Sequence, residues 1–336
     1  MKRAVSTMVL AAMIAAPASQ ALAWGDTGHR MVGRLAMEAL PADMPAYLRT
    51  AASIDAVEEL AREPDRWRGA GKTHDSDRDA GHFMDLDDQG HALSGDALDQ
   101  LPQRRVDFEA KLMAAHTDIL KSGYVYYSII DGWQQLVKDF TYFRVETAAL
   151  AHEKDARKKA WYAKDLEWRK GLIVRDLGVW AHYVGDGSQP LHLSVHFNGW
   201  GKEFANPNGY TLEKIHTAFE GPFVRDHVAI AEARAAMRPY KACEGALEAC
   251  VSAYLTHTWT GVEPFYQLEK KGGFRDATPE AKAFTAAKLA DGASELRDLI
   301  VDAWKASENA KAGYHGVTAK DVENGADAWE ALYGDG

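Results

Sequence analysis

The chain has 336 residues, a formal net charge of −10, 46% hydrophobic and 26% charged residues, and two cysteines. These proportions exclude a collagen-like, disordered or disulfide-dense chain, and the acidic balance excludes a simple basic clamp for nucleic acid. Any attraction for phosphates therefore has to come from something other than bulk charge, and the 13 histidines are the residues to follow.

In chain order, residues 1–23 read as a secretory signal peptide. Lys2 and Arg3 form the charged start, residues 9–16 are apolar, and Ala21-Leu22-Ala23 is a small-x-small cleavage site. The apolar run falls short of the roughly 20 residues a membrane span needs, so no stable membrane anchor is expected. Cleavage would make Trp24 the first residue of a single domain, 24–336, exported to the periplasm or secreted. Apolar residues recur at helical spacing in 31–40, 106–120, 166–184, 212–236 and 281–304. The predicted fold class is all-α, with 124–130 the one strand-like run. Segments 66–95 and 194–208 read as loops, rich in Gly, Asp and Asn, and loops of that length inside a domain are usually functional. The charged segment 153–170 reads as a solvated helix face. Cys243 and Cys250, seven apart with Gly245 between them, either pair across a short turn in an oxidising compartment or stand as separate thiols on a helix.

The strongest segment is His182-Tyr-Val-Gly-Asp186-Gly-Ser-Gln-Pro-Leu-His192. His182 and Asp186 are four apart, so a helix projects both from one face. Imidazole with carboxylate is a zinc-type ligand set. Gly187 and Pro190 end the helix, and the chain can then turn to bring His192 back. A second pair, His216 and Glu220, has the same spacing. Upstream lie Trp24-Gly-Asp-Thr-Gly-His29, Asp65 in Glu-Pro-Asp-Arg-Trp-Arg, and His82 in Gly-His-Phe-Met-Asp. A lone His four residues from an acid is usually just an exposed pair, but five such elements in one chain are harder to dismiss. A free terminal amine at Trp24, with its neighbouring carbonyl oxygen, adds a chelating pair that only a cleaved chain offers.

Taken together these residues resemble the S1/P1 nuclease family, which shares a superfamily with the zinc-dependent bacterial phospholipases C. The resemblance covers an N-terminal Trp, then His, Asp and His, the His-x-x-Gly-Asp-x-x-Gln-Pro-x-His core and a final His-x-x-x-Glu, in order from Trp24 to Glu220. It implies a helical fold around three zinc ions. One zinc would take Asp65, His82, His182 and Asp186. A second would take His192, His216 and Glu220. The third would take the Trp24 amine and carbonyl, His29 and Asp186, which then bridges two ions. Three divalent ions would offset the acidic surface, attract a phosphodiester and lower the pKa of water toward neutrality.

Neighbouring residues bear on the substrate. The Trp24–His29 spacing and Arg68, three residues after Asp65, resemble the nucleases, where that arginine contacts phosphate and the aspartate orients the attacking water. Phe83 and Asp85 resemble a base-stacking ring and a carboxylate that reads the base edge; Phe83 as plain core is the alternative. Glu220 is the phospholipase choice, and the 100 residues between His82 and His182 exceed the expectation for either branch. Trp200 and Phe204 could stack on a base, contact lipid or pack locally. The expected activity is a zinc-dependent single-strand endonuclease acting on DNA or RNA, with 3′-nucleotidase activity and 5′-phosphate products. The alternatives are a phospholipase C acting on phosphoglycerides and a zinc-binding exported protein without hydrolytic activity. His196 is a candidate support for the ligands, whereas His74, His91, His116, His152, His227, His257 and His315 have no partner at metal-ligand spacing.

Overall fold

Three long helices organise the chain in the computed structural model, which describes residues 24–314 and 316–334. The signal-peptide reading and His315 lie outside the described residues. Helix α1 (Gly25–Glu38) buries Val32, Leu35, Ala36 and Met37, the stripe that 3.6-residue periodicity sets on one face. Helix α2 (Ala51–Leu60) starts where the Thr50 side chain accepts the Ser53 N–H at 3.2 Å. The one-turn helix α3 (Glu63–Arg66) follows, with Pro64 in its first turn, where a missing N–H costs nothing. Helices α4 (Val125–His152) and α5 (Ala156–Asp186) form a long antiparallel hairpin. Asp155 caps α5 by accepting the N–H groups of Arg157 and Lys158 at 2.8 and 3.0 Å. Helix α6 (Leu247–Trp259) and helix α7 (Pro279–Ala306) complete the frame. Helix α1 packs against α2, α5 and α7, which places its first turn beside the C-terminal end of α5. Leu289 of α7 is fully buried and lies beside Gly28 in that first turn. A smaller core, with Val145, Ala148, Tyr162, Val322 and Ala328, ties the C-terminal segment to the far end of the α4–α5 hairpin.

The chain is all-α: the described residues form isolated β-bridges and no sheet, and none of their helices is long and apolar enough to cross a membrane. The periodic segments 31–40, 166–184 and 281–304 fall largely or wholly within α1, α5 and α7. The strand-like run 124–130 is instead the first two turns of α4. Val125, Tyr126, Tyr127, Ile129 and Ile130 are all buried there, so a run apolar on every side misled a reading based on period. Segment 106–120 is interrupted after Arg105–Ala114, because His116 takes φ 59°, a left-handed position that ends helices. Segment 212–236 also breaks. Pro222 lies inside the π-helical turn Phe219–Phe223, where it cannot donate to the i−4 carbonyl. Cys243 and Cys250 are disulfide-bonded, with Cα atoms 5.9 Å apart.

Replacing Leu289 with Ala is expected to destabilise the fold by about 2–5 kcal/mol, read by denaturant unfolding. A loss below about 1 kcal/mol would contradict the packing of α7 against α1.

Candidate metal centre

The site forms where the C-terminal end of α5 meets the start of α1, helix α3 and the two loops. Gly185 lets this happen: a Cβ there would lie 3.2 Å from the His29 Nδ1, so the glycine between His182 and Asp186 admits the His29 ring against the helix. The two loops are zipped together by main-chain bonds, Met84 N–H to the His192 carbonyl at 2.9 Å and Val195 N–H to the Leu86 carbonyl at 3.0 Å. This fixes the His82 segment beside the His192 segment.

Three groups of ligand-type side chains result: His29, His182 and Asp186; Asp65, His82 and His182; and His192, His216 and Glu220. Asp186 links the first two. Its Oδ2 lies 3.1 Å from His82 Nδ1 and 3.3 Å from His182 Nε2, and its Oδ1 lies 3.5 Å from His29 Nε2. Asp65 Oδ1 lies 3.9 Å from His182 Nε2. In the third, Glu220 Oε2 is 2.7 Å from His216 Nε2 and 3.7 Å from His192 Nε2. Asp186 Oδ1 also lies 3.6 Å from His192 Nδ1, so all three groups form one nest.

The tautomers follow from the neighbours. His182 Nδ1 lies 2.8 Å from the Ala61 carbonyl, and His192 Nδ1 lies 2.7 Å from the His82 carbonyl. A carbonyl only accepts, so each Nδ1 carries the hydrogen and each Nε2 presents a lone pair to the nest. Main-chain support of this kind aims imidazole ligands at metals.

The nest is almost dry, with His29, His182 and Asp186 fully buried and Glu220 1% exposed. Burial drives His29, His82 and His182 well below the usual histidine range, lowers His192, and takes His216 down to about 3. Burial pushes Asp65 and Glu220 up to about 7 and Asp186 well above the carboxylate range. Several buried atoms have no hydrogen-bond partner: both ring nitrogens of His29, Asp186 Oδ1 and Glu220 Oε1. Neutral imidazoles and uncompensated carboxylates facing inward are what a divalent cation of the zinc type satisfies, so the residues fit a metal.

Trp24 is fully buried at the rim. Its indole N–H donates to Ser188 Oγ at 2.9 Å, and Ser188 Oγ donates to the Gly185 carbonyl at 2.8 Å. Its own carbonyl accepts the Gly28 N–H at 3.2 Å, which leaves one lone pair over. Gln189, to which sequence reasoning gave no role, holds its amide 3.1 Å from His216 Nε2 and 3.5 Å from Glu220 Oε2. Its place inside the core motif was the available signal.

A cleft of about 500 Å³ opens onto the nest, lined by Arg68, Phe83, Asp85, His82, His192 and His216 among others. Arg68 Nη2 lies 3.2 Å from Asp65 Oδ1. Asp85 is 8% exposed with Oδ1 unpartnered, and burial raises it well above the carboxylate range. Leu120 and Phe197, 52% and 45% exposed, also line the cleft; sequence reasoning assigned neither. His196 is not among the ligands. It stacks on Trp200 with ring centroids 3.7 Å apart and pairs with Asp88 at 2.7 Å. Trp200 and Phe204 pack locally around it, the local-packing alternative among the readings open for both. The other described histidines join no cluster of three ligands. Neither a protein-family model nor a curated protein matches the sequence.

Metal binding should release protons in a pH-dependent way. The buried histidines are already neutral, whereas the raised carboxyls hold protons that an ordinary carboxylate has lost and a cation must displace. Zinc titrations in buffers of different ionisation enthalpy should show proton release at about pH 6. Release should shrink by about pH 8.5, where Asp65 and Glu220 are already ionised. Proton uptake, or release that grows with pH, would contradict this ligand set.

Proposed function

We propose that the chain is an exported zinc-dependent phosphodiesterase of the S1/P1 nuclease type. It cleaves single-stranded DNA or RNA to 5′-phosphorylated products and removes 3′-phosphates from nucleotides as free phosphate. The observation that carries this reading is the cleft wall, on which Arg68, Phe83 and the buried Asp85 stand beside His82, His192 and His216. Asp65, His82, His182 and Asp186 would hold one zinc and His192, His216 and Glu220 a second. His29, Asp186 and the Trp24 main chain would hold a third. When bound, zinc supplies Lewis acidity that offsets phosphate charge and brings the pKa of water near neutrality.

The chain's own residues do the rest. Asp65, beside Arg68, orients the attacking water. The Arg68 guanidinium offers a planar fork to two phosphate oxygens as their charge grows. Phe83 presents a ring to a base, a contact that tolerates sequence. Asp85, buried beside that ring, offers its carboxyl oxygens to the hydrogen-bonding edge of a nucleobase. A second reading, a phospholipase C acting on phosphoglycerides, is favoured by the exposed apolar pair Leu120 and Phe197 at this cleft.

Protein beginning at Trp24 and loaded with zinc should release phosphate from 3′-nucleotides and cut single strands without releasing diglyceride from phosphatidylcholine. Diglyceride release without nucleotide hydrolysis would select the second reading, and neither activity would leave a metal-binding protein. Asp186→Ala should lose zinc and keep less than about a tenth of the rate. Arg68→Ala should keep its zinc and lose about 100-fold in kcat, the scale of a deleted transition-state donor. An Arg68→Ala enzyme with wild-type kcat would contradict the role given to the guanidinium.

A further inference from the structure

A second groove, of about 640 Å³, adjoins the metal cleft and shares a wall with it. Along the 75–82 segment, Asp75, Ser76 and Asp79 line the cleft, whereas Asp77 and Arg78 line the groove. The neighbours Trp67 and Arg68 stand on different sides of this wall by their contacts. Arg68 lines the cleft, while the Trp67 ring has two groove arginines near it, Arg78 and Arg175, with guanidinium carbons 6.0 and 5.8 Å from its centroid. A third groove arginine, Arg105, lies 4.6 Å over the Tyr124 ring. Tyr183, next to the ligand His182, closes the groove toward the nest, its ring 5.4 Å from the His82 ring.

The groove opens onto an exposed stripe of α5. Arg175, Leu172 and Trp168 follow one another at single helical turns and are 56%, 47% and 56% exposed. Lys164 Nζ sits 4.8 Å over the Trp168 ring. Seven residues of helix span about 10 Å, room for one or two nucleotides of a stretched strand. The charge is unusual for this chain. Residues 156–175 carry seven Lys or Arg against Asp165 and Glu167, although the whole chain is at −10. Within the groove the three arginines are balanced by Asp77, Asp131 and Asp176, so a polyanion meets no net repulsion there.

We infer that this groove and the Trp168 stripe bind the uncleaved part of a single-stranded polynucleotide whose scissile phosphate lies in the metal cleft. The inference rests on the nuclease reading and adds to it a preference in binding for strands longer than a dinucleotide. A single strand alternates planar bases with phosphates. Guanidinium planes stack on the first and fork onto the second, and an exposed indole offers a further stacking face. Arginines with nearby aromatic rings, leading from the cleft to an open tryptophan, supply that alternation in one direction.

The test uses zinc-loaded protein and a fluorescein-labelled phosphorothioate dodecamer that resists cleavage, read by anisotropy, beside hydrolysis of a 3′-mononucleotide. The wild type should bind the dodecamer more tightly than a labelled dinucleotide. Arg78→Ala with Arg175→Ala should lower the slope of log affinity against log salt by about 1.4, the share of two phosphate contacts on a single strand. Trp168→Ala should weaken dodecamer binding about tenfold. Both variants should leave mononucleotide hydrolysis and zinc content unchanged. Wild-type length and salt dependence in these variants, with strands still cleaved, overturns the groove and leaves the nuclease reading standing. A wild type that hydrolyses phosphatidylcholine and no nucleotide overturns the nuclease reading itself. Trp168-dependent binding to phosphatidylglycerol vesicles with unchanged dodecamer binding assigns the stripe to a membrane surface instead.

Discussion

Burying Asp186 and Glu220 together, with imidazoles rather than cations as their nearest partners, is the constraint on which the rest of the structure depends. Removing one carboxylate from water costs on the order of several kcal/mol even after relaxation. Arg68 pairs with the neighbouring Asp65, at 3.2 Å. Burial holds these carboxyls above the ordinary carboxylate range and the imidazoles below theirs. A cluster built for structure alone would be more economically filled by apolar side chains. Retaining five imidazoles and three carboxylates in a dry pocket makes sense as storage for divalent charge.

The scaffold is arranged around that demand. The end of α5 delivers His182 and Asp186 from one face, and Gly185 between them admits His29 from α1. Main-chain carbonyls of Ala61 and His82 fix two tautomers, so even the backbone of α2's end and of the loop takes part in aiming lone pairs. The Trp24 indole, anchored to Ser188, ties the start of α1 to the turn that follows Asp186. The same packing gives the cleft its rigid wall, and a site mounted on helix ends is held more tightly than one on free loops.

Much of this was legible in the sequence because the relevant signals are local. His182 with Asp186 and His216 with Glu220 show the one-turn spacing that puts two ligands on one face, and the periodic apolar segments announced α1, α5 and α7. The three ligand groups gather the residues the motif pointed to, including Asp65 and His82, which lie far off in the chain. What was not legible depended on tertiary context. The aromatic and β-branched start of α4 imitates a strand because it is buried on every side. Pro222 re-forms a helical pattern into a π turn without displacing Glu220 from His216. Trp200 and Phe204 carry no local sign that they pack on His196 and not on a ligand. Gln189 was visible in the motif, but its contact with His216 and Glu220 needed the fold.

The most direct measurement is anomalous X-ray diffraction at the zinc absorption edge from crystals of protein that begins at Trp24. The account predicts three peaks inside the nest: one among Asp65, His82, His182 and Asp186, one among His192, His216 and Glu220, and one beside His29 and the Trp24 main chain. A nest without anomalous density in zinc-saturated crystals, or peaks confined to surface carboxylates, would contradict it.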